Sequence, residues 1–235
     1  MLAAADSPQP TLTAIGIAGA ELLLDPLGAA FWVEERLMVV ADLHLEKGSA
    51  FARRGQMLPP FDTTETLARL EQAVVRHQPR TLIALGDSLH DRWAAERLAP
   101  EARARLSTVA QGRDLVWIAG NHDPAPQDLG GTFLPALTRG PLRFRHEPEP
   151  DDAAGEVCGH LHPAARVVVR GRGLRRRCFV SDGARLILPA FGAFTGGLDV
   201  GAPAIAGLFG PDGFEVHMLG AGRTFRLPAP RLRGG

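Results

Sequence analysis

Leu115-Val116-Trp117-Ile118-Ala119-Gly120-Asn121-His122-Asp123 is an unbroken apolar run that stops in a glycine followed by an amide, an imidazole and a carboxylate. A short apolar run bounded by turn residues reads as a strand buried on both faces. Two upstream stretches read the same way: residues 37–41 end in Asp42-Leu43-His44, and residues 81–85 end in Gly86-Asp87. Between them, Asp62 as N-cap, Glu65 three residues on, and Leu67, Leu70 and Val74 at helical spacing predict a helix that Pro79 stops. Residues 93–110 predict a second helical stretch, broken near Pro100. The βαβαβ order implies parallel strands with right-handed crossovers, and ligands gather at the carboxyl ends of such strands.

Working outward, residues 12–17, 21–24 and 31–33 read as short strands separated by Gly and Pro turns. Beyond Leu142 the pattern is strand-rich, at 142–145, 156–158, 166–170, 178–181, 184–188, 204–209, 214–219 and 224–227. One domain is expected over residues 11–228, with flexible ends at 1–10 and 229–235.

With 235 residues and 45% hydrophobic content the chain can bury a sizeable core. A net charge of +0 gives no global field, so a polyanion would have to be gripped locally. Two cysteines, Cys158 and Cys178, make no disulfide framework, and a reducing cytoplasm fits. No basic residue precedes Arg36 and Glu21 interrupts the early apolar stretch, so a secretory signal is not expected. Pro189, Asp199 and Pro203 interrupt the most apolar region, so neither a membrane span nor a membrane partner is expected.

A fourth strand-like segment ends in Gly159-His160-Leu161-His162. Residues two apart in an extended segment project to one side, which predicts that Asp42 with His44, and His160 with His162, reach one small region. Carboxylate, amide and imidazole donors suit Mn²⁺, Fe²⁺ or Zn²⁺. Two such ions need a bridging anion, and Asp87 is the candidate for it.

In this order the blocks resemble those of the calcineurin-like metallophosphoesterase superfamily: DxH, GD, GNH(D/E), an isolated His and GHxH. The resemblance implies an α/β (α+β) fold, a four-layer αββα sandwich of two packed mixed sheets flanked by helices. It also implies two divalent ions, Mn²⁺ first and Fe²⁺ or Zn²⁺ next, one on Asp42, His44, Asp87 and His162 and one on Asp87, Asn121, His146 and His160. His146 has no spacing signature, and a surface histidine in a charged loop is its other reading. More narrowly, Ala41-Asp42-Leu43-His44-Leu45-Glu46-Lys47-Gly48, Leu58-Pro59-Pro60-Phe61-Asp62, Gly86-Asp87-Ser88-Leu89-His90-Asp91 and Pro189-Ala190-Phe191-Gly192-Ala193-Phe194-Thr195-Gly196-Gly197 resemble the ligase-associated DNA damage response endonuclease family called PdeM. That likeness implies a phosphodiester substrate such as DNA or RNA, with a DNA-repair ligase or helicase as partner.

The expected reaction is in-line attack of activated water at phosphorus. His122 is the expected general acid, with Asp123 orienting its imidazole. His90 and Asp91 are read as rim residues or a solvated turn, and Arg53 and Arg54 as phosphate contacts or a solvated loop face. Arg170, Arg172, Arg175, Arg176 and Arg177 form a basic run, either a nucleic-acid track or a hairpin tip. A hydrolase of a small nucleotide or lipid-linked phosphoester is the competing reading, and a non-catalytic scaffold of the same fold the one from another class.

Overall fold

The chain opens as an antiparallel meander of β1 (Thr13–Ile17), β2 (Ala20–Leu24), β3 (Ala30–Trp32) and β4 (Leu37–Val40) in the computed structural model, which describes residues 10–59, 61–126 and 128–228. From β4 it runs parallel. Helices α1 (Lys47–Ala52) and α2 (Asp62–His77) lead to β5 (Thr81–Leu85), and α3 (Ala94–Arg97) and α4 (Pro100–Ala110) lead to β6 (Asp114–Ile118). With β7 (Thr132–Leu134) these strands form a seven-stranded sheet in sequence order.

The apolar runs are apolar throughout because both faces are covered. Met38, Val40, Leu82, Ala84, Leu115 and Trp117 cluster with Leu67, Leu70, Leu106 and Val109 of the helices. Their strand neighbours Val39, Ile83 and Val116 belong to the opposite cluster, as the two-residue period of a strand requires. That cluster is completed by Phe144, Val157, Phe179 and Leu186 of a second sheet.

The second sheet contains β8 (Leu137–Arg139), β9 (Leu142–Phe144), β10 (Glu156–Cys158), β11 (Pro163–Val169), β12 (Arg172–Ser181), β13 (Arg185–Ile187) and β14 (Leu198–Asp199). Their order is β14-β11-β12-β13-β10-β9-β8, with β15 (Glu215–Leu219) and β16 (Thr224–Pro228) branching from β12. Cys158, Cys178, Val180 and Ile187 on its far face are covered by Val200, Phe209 and Ile205 of α5 (Pro203–Ala206). The predicted sandwich of two packed mixed sheets is therefore present, with an unequal helical cover: among the described residues the far face carries only this four-residue helix.

Two sequence expectations are corrected, and two strands were missed. The strand expected at 204–209 is α5, with Pro203 in its first turn. Asp62 does not cap α2; its carboxylate accepts from the Gly48 amide at 2.9 Å and ties α1 to α2. The short strands β7 and β8 were not anticipated, because three residues of mixed polarity carry too little period to read. Residues 1–9 of the expected flexible start and all of 229–235 lie outside the described residues.

The second sheet also encloses an ion pair. The Arg185 side chain is wholly buried, donating from Nε to Glu156 Oε2 at 2.5 Å and from its other nitrogens to the carbonyls of Leu208 and Glu149. Removing one partner of such a pair leaves an uncompensated charge, so Arg185→Ala is expected to cost about 3–5 kcal/mol. Thermal unfolding should then move down by roughly 10 °C, at 2–4 °C per kcal/mol for a chain of this size; an unchanged midpoint would refute it.

Candidate metal centre

Five of the predicted metal-ligating residues stand two or three residues past the end of a strand: Asp42 after β4, Asp87 after β5, Asn121 after β6, His146 after β9 and His160 after β10. The first three strands are adjacent and parallel, so their ends lie side by side. Asp42 (φ 54°), His44 (φ 44°), Asp87 (φ 46°), His160 (φ 66°) and His162 (φ 46°) all adopt left-handed backbone, five of eleven such non-glycine residues among those described. Each costs about 1–2 kcal/mol. Strain concentrated in this way marks a functional site held in shape by its surroundings. It also corrects the predicted route to convergence: tight left-handed turns after the strands, not the strand pleat, bring Asp42 to His44 and send His160 and His162 to two different donor groups.

Two donor sets result. Asp42 Oδ1 lies 3.3 Å from His162 Nε2, which is 3.3 Å from His44 Nε2. Asn121 Oδ1 lies 2.9 Å from His146 Nε2 and 3.1 Å from His160 Nδ1, and those two nitrogens are 3.1 Å apart. Asp87 stands between the sets. Its Oδ1 is 3.4 Å from His146 Nε2, and its Oδ2 is 3.8 Å from His44 Nε2. The atoms of Asp42, His44 and His162 lie within 4.8 Å of one another, as do those of Asp87, His146 and His160.

The donor chemistry fits divalent cations. Asp42 and Asp87 are buried, and among the described residues neither forms an ion pair with Arg or Lys; their neighbours are imidazoles. Two buried carboxylates without a cation are costly, and a bound metal supplies the missing charge. His146 Nδ1 faces the Leu85 carbonyl at 2.8 Å, so this nitrogen carries the proton and Nε2 presents its lone pair to the other donors. Burial, then His162 and His122, hold the His44 pKa down to about 2, which keeps that imidazole neutral as metal ligation requires.

Close approach explains the glycines. A Cβ on Gly86 would stand 2.5 Å from His146 Cγ, and one on Gly159 2.7 Å from Asp42 Oδ2. On Gly120 it would meet the Asp87 amide nitrogen at 2.1 Å. Gly120→Ala must therefore displace Asp87. About 10–100-fold loss of metal affinity is expected, the scale seen when ligand-supporting groups are disturbed, read as metal per chain after dialysis.

The structure places the remaining candidates less uniformly. His122 is part-exposed; its Nδ1 donates to the His90 carbonyl at 2.7 Å, and Nε2 is 3.9 Å from Asp87 Oδ2. Asp123 does not orient that imidazole as expected. It is buried, and its Oδ2 accepts from the Ser88 and Leu89 amides at 2.8 and 3.0 Å, fixing the turn after Asp87; burial raises its pKa to about 6. The His90 carbonyl has the orienting role. The His90 ring is stacked on His122 and lies beside Phe51, whereas Asp91 turns away to a two-pronged pair with Arg97 and is no free phosphate or metal contact. Arg53 and Arg54 are exposed at the end of α1, with Arg53 over the Trp93 ring.

Sequence reasoning missed the support beneath Asp42. The Phe191 and Gly192 amides donate to the Ala41 and Asp42 carbonyls at 2.8 and 3.1 Å. Arg177 Nη1 in turn donates to the carbonyls of Ala190 and Gly192 at 2.6 and 3.0 Å, and Arg69 to that of Phe191 at 2.8 Å. The signal was present in Arg177, but its place in a basic run concealed it.

Residues 35–185 match the family described as calcineurin-like phosphoesterase. The chain is also similar to a solved structure, the crystal structure of Pseudomonas putida nuclease MPE, at 33% identity and a TM-score of 0.70, over 92% of this chain and 100% of that one. No curated protein matches the chain.

Proposed function

The chain belongs to the calcineurin-like phosphoesterase family, and on that premise we propose that it is a two-metal phosphodiesterase acting on polynucleotides. The carrying observation is the pair of donor sets joined by Asp87, whose two carboxylate oxygens face His146 on one side and His44 on the other. A phosphoesterase of this family is a hydrolase that uses divalent metals; the two-ion count, the nuclease substrate and Mn²⁺ as the metal are our reading. The nuclease named in the similar structure supports the substrate class.

Asp42, His44, Asp87 and His162 would hold one ion, and Asp87, Asn121, His146 and His160 the other. Bound there, two divalent cations neutralise phosphate oxygens and acidify water. The chain supplies the rest. The Asp87 carboxylate is fixed by the His122 amide at 2.9 Å, and Asp42 by the His160 amide at 3.0 Å, so both are set before substrate arrives. His122 would act as the imidazolium: with its Nδ1–H held by the His90 carbonyl, the second proton, on Nε2, is the one that would pass to the departing alkoxide, leaving the neutral imidazole.

Polynucleotides, cyclic nucleotides, nucleotide diphosphates and phosphomonoesters compared with Mn²⁺ test the reading. Cleavage of internal polynucleotide bonds is expected; turnover confined to monoesters or diphosphates would sink it. The narrower likeness to a DNA-repair family extends the proposal to a ligase or helicase partner. Recovery of neither with the tagged protein would remove that extension. No helix among the described residues is long and apolar enough to cross a membrane.

A further inference from the structure

Beside the Asp42–His162 donor set lies a cleft of about 340 Å³, lined by Arg69 of α2, by Arg175, Arg176 and Arg177 of β12, and by residues 192–197. Its floor is the backbone of the candidate ligands' own support. Gly192 donates to the Asp42 carbonyl at 3.1 Å, and Leu198, just past the lining, donates to that of His162 at 3.0 Å.

The charge in this cleft is lopsided. Four arginines line it with one acidic residue, Glu65, which is engaged by Arg69. Arg175 and Arg177 are held by carbonyls of Gly197, Ala190 and Gly192, which fix their position without neutralising them. Burial, then repulsion from Arg69, lowers the Arg177 pKa to about 10, with Glu65 opposing the shift. Guanidiniums fixed in this way suit a phosphate, which accepts two parallel N–H bonds.

Phe194 is the second, independent observation. It lines the same cleft with 45% of its surface exposed, on a backbone at φ 55°. A large aromatic ring held out to solvent on a strained turn gains nothing for the core. It does offer a face on which a nucleobase can stack.

We infer that this cleft is a flanking-nucleotide subsite, in which the arginines hold the backbone phosphate next to the scissile one and Phe194 stacks the attached base. The inference rests on the phosphodiesterase reading and deepens it, because such a subsite favours a polynucleotide over a mononucleotide or a small diester.

The test is binding of a fluorescent, hydrolysis-resistant phosphorothioate oligonucleotide to the Mn²⁺-loaded protein across a salt series. Arg176 is exposed, and the one side-chain hydrogen bond it forms among the described residues is to the adjacent Arg175 carbonyl, so its substitution leaves the strand's backbone ladder in place. Arg176→Glu should weaken affinity about tenfold or more and lower the slope of log affinity against log salt by about 1–2. Arg172→Glu, the same charge change on the same strand but outside the cleft, should leave both within about twofold. Phe194→Asn keeps a residue tolerant of the left-handed backbone; it should weaken affinity roughly tenfold with the salt slope unchanged, since stacking releases no counterions.

Equal losses in Arg176→Glu and Arg172→Glu, or no loss in the first, overturn the subsite. So does a wild-type protein that hydrolyses a small diester yet has no affinity for the oligonucleotide, and in that case the phosphodiesterase reading survives. A protein that binds through this cleft and hydrolyses no diester does the opposite: the subsite stands and the phosphodiesterase reading falls.

Discussion

Asp87→Ala is expected to abolish metal binding at both donor sets and reduce phosphodiester turnover by about a thousandfold or more. The reasoning is positional. Asp42 serves His44 and His162, and Asn121 serves His146 and His160, but Asp87 approaches both groups, with Oδ1 3.4 Å from His146 Nε2 and Oδ2 3.8 Å from His44 Nε2. Losing a shared carboxylate therefore weakens two sites at once. Two metal ions contribute several kcal/mol to the stabilisation of a phosphoryl-transfer transition state, and about 1.4 kcal/mol corresponds to each factor of ten in rate. Asn121→Ala, on the same argument, should weaken one site and spare the other. Metal per chain, measured alongside turnover, separates the cases; an Asp87→Ala protein that still carried two ions at full occupancy would remove the shared-carboxylate geometry from the proposal. Because alanine tolerates the left-handed backbone at position 87 less well than aspartate, Asp87→Asn is the companion variant: it keeps a residue suited to φ 46° and an acceptor for the His122 amide while removing the charge.

Much of this centre was legible because its donors sit at ends of strong apolar runs. The order Asp42, His44, Asp87, Asn121, His160 and His162 could be read since the largely buried strands β4, β5 and β6 announce themselves by continuous hydrophobicity, and they and β10 run into a glycine or alanine followed by a ligand type. His146 was ambiguous for the opposite reason: β9 is three residues long and nothing at fixed spacing follows it. What identifies it in three dimensions is Gly86, whose missing side chain leaves the room the imidazole fills. Asp123 and Asp91 show where sequence proximity misleads. Each follows a candidate histidine directly, yet their carboxylates turn to the Ser88 and Leu89 amides and to Arg97, because a tight loop sends adjacent side chains in different directions. Arg177 was hidden by its neighbours: the run looks uniformly basic, yet Arg175 and Arg176 stay exposed while Arg177, next to the buried Cys178, is half-buried and clamps the Asp42-bearing turn.

His122 is expected to matter only once the leaving group needs a proton. His122→Ala should lower kcat on a polynucleotide by about 10²–10⁴-fold, the usual range for a positioned general acid, with the metal content unchanged. The structure supports the role through one bond. The His90 carbonyl can only accept, so Nδ1 of His122 carries a proton at 2.7 Å, and in the imidazolium that acid catalysis requires the second proton sits on Nε2, 3.9 Å from Asp87 Oδ2. The carbonyl is itself held, because the His90 amide donates to the Leu45 carbonyl at 3.0 Å. His122 belongs to neither of the two four-residue donor sets, although its ring nitrogens also group with those of His44 and His90, so metal per chain in the variant is read beside kcat. The decisive comparison uses two diesters of one nucleotide, one releasing an alkoxide and one releasing a nitrophenolate that departs readily as the anion. Proton donation helps the first and hardly the second, so the variant should be impaired mainly on the alkoxide ester. Equal impairment on both would assign His122 to positioning of substrate or of Asp87, through its own amide, rather than to acid catalysis.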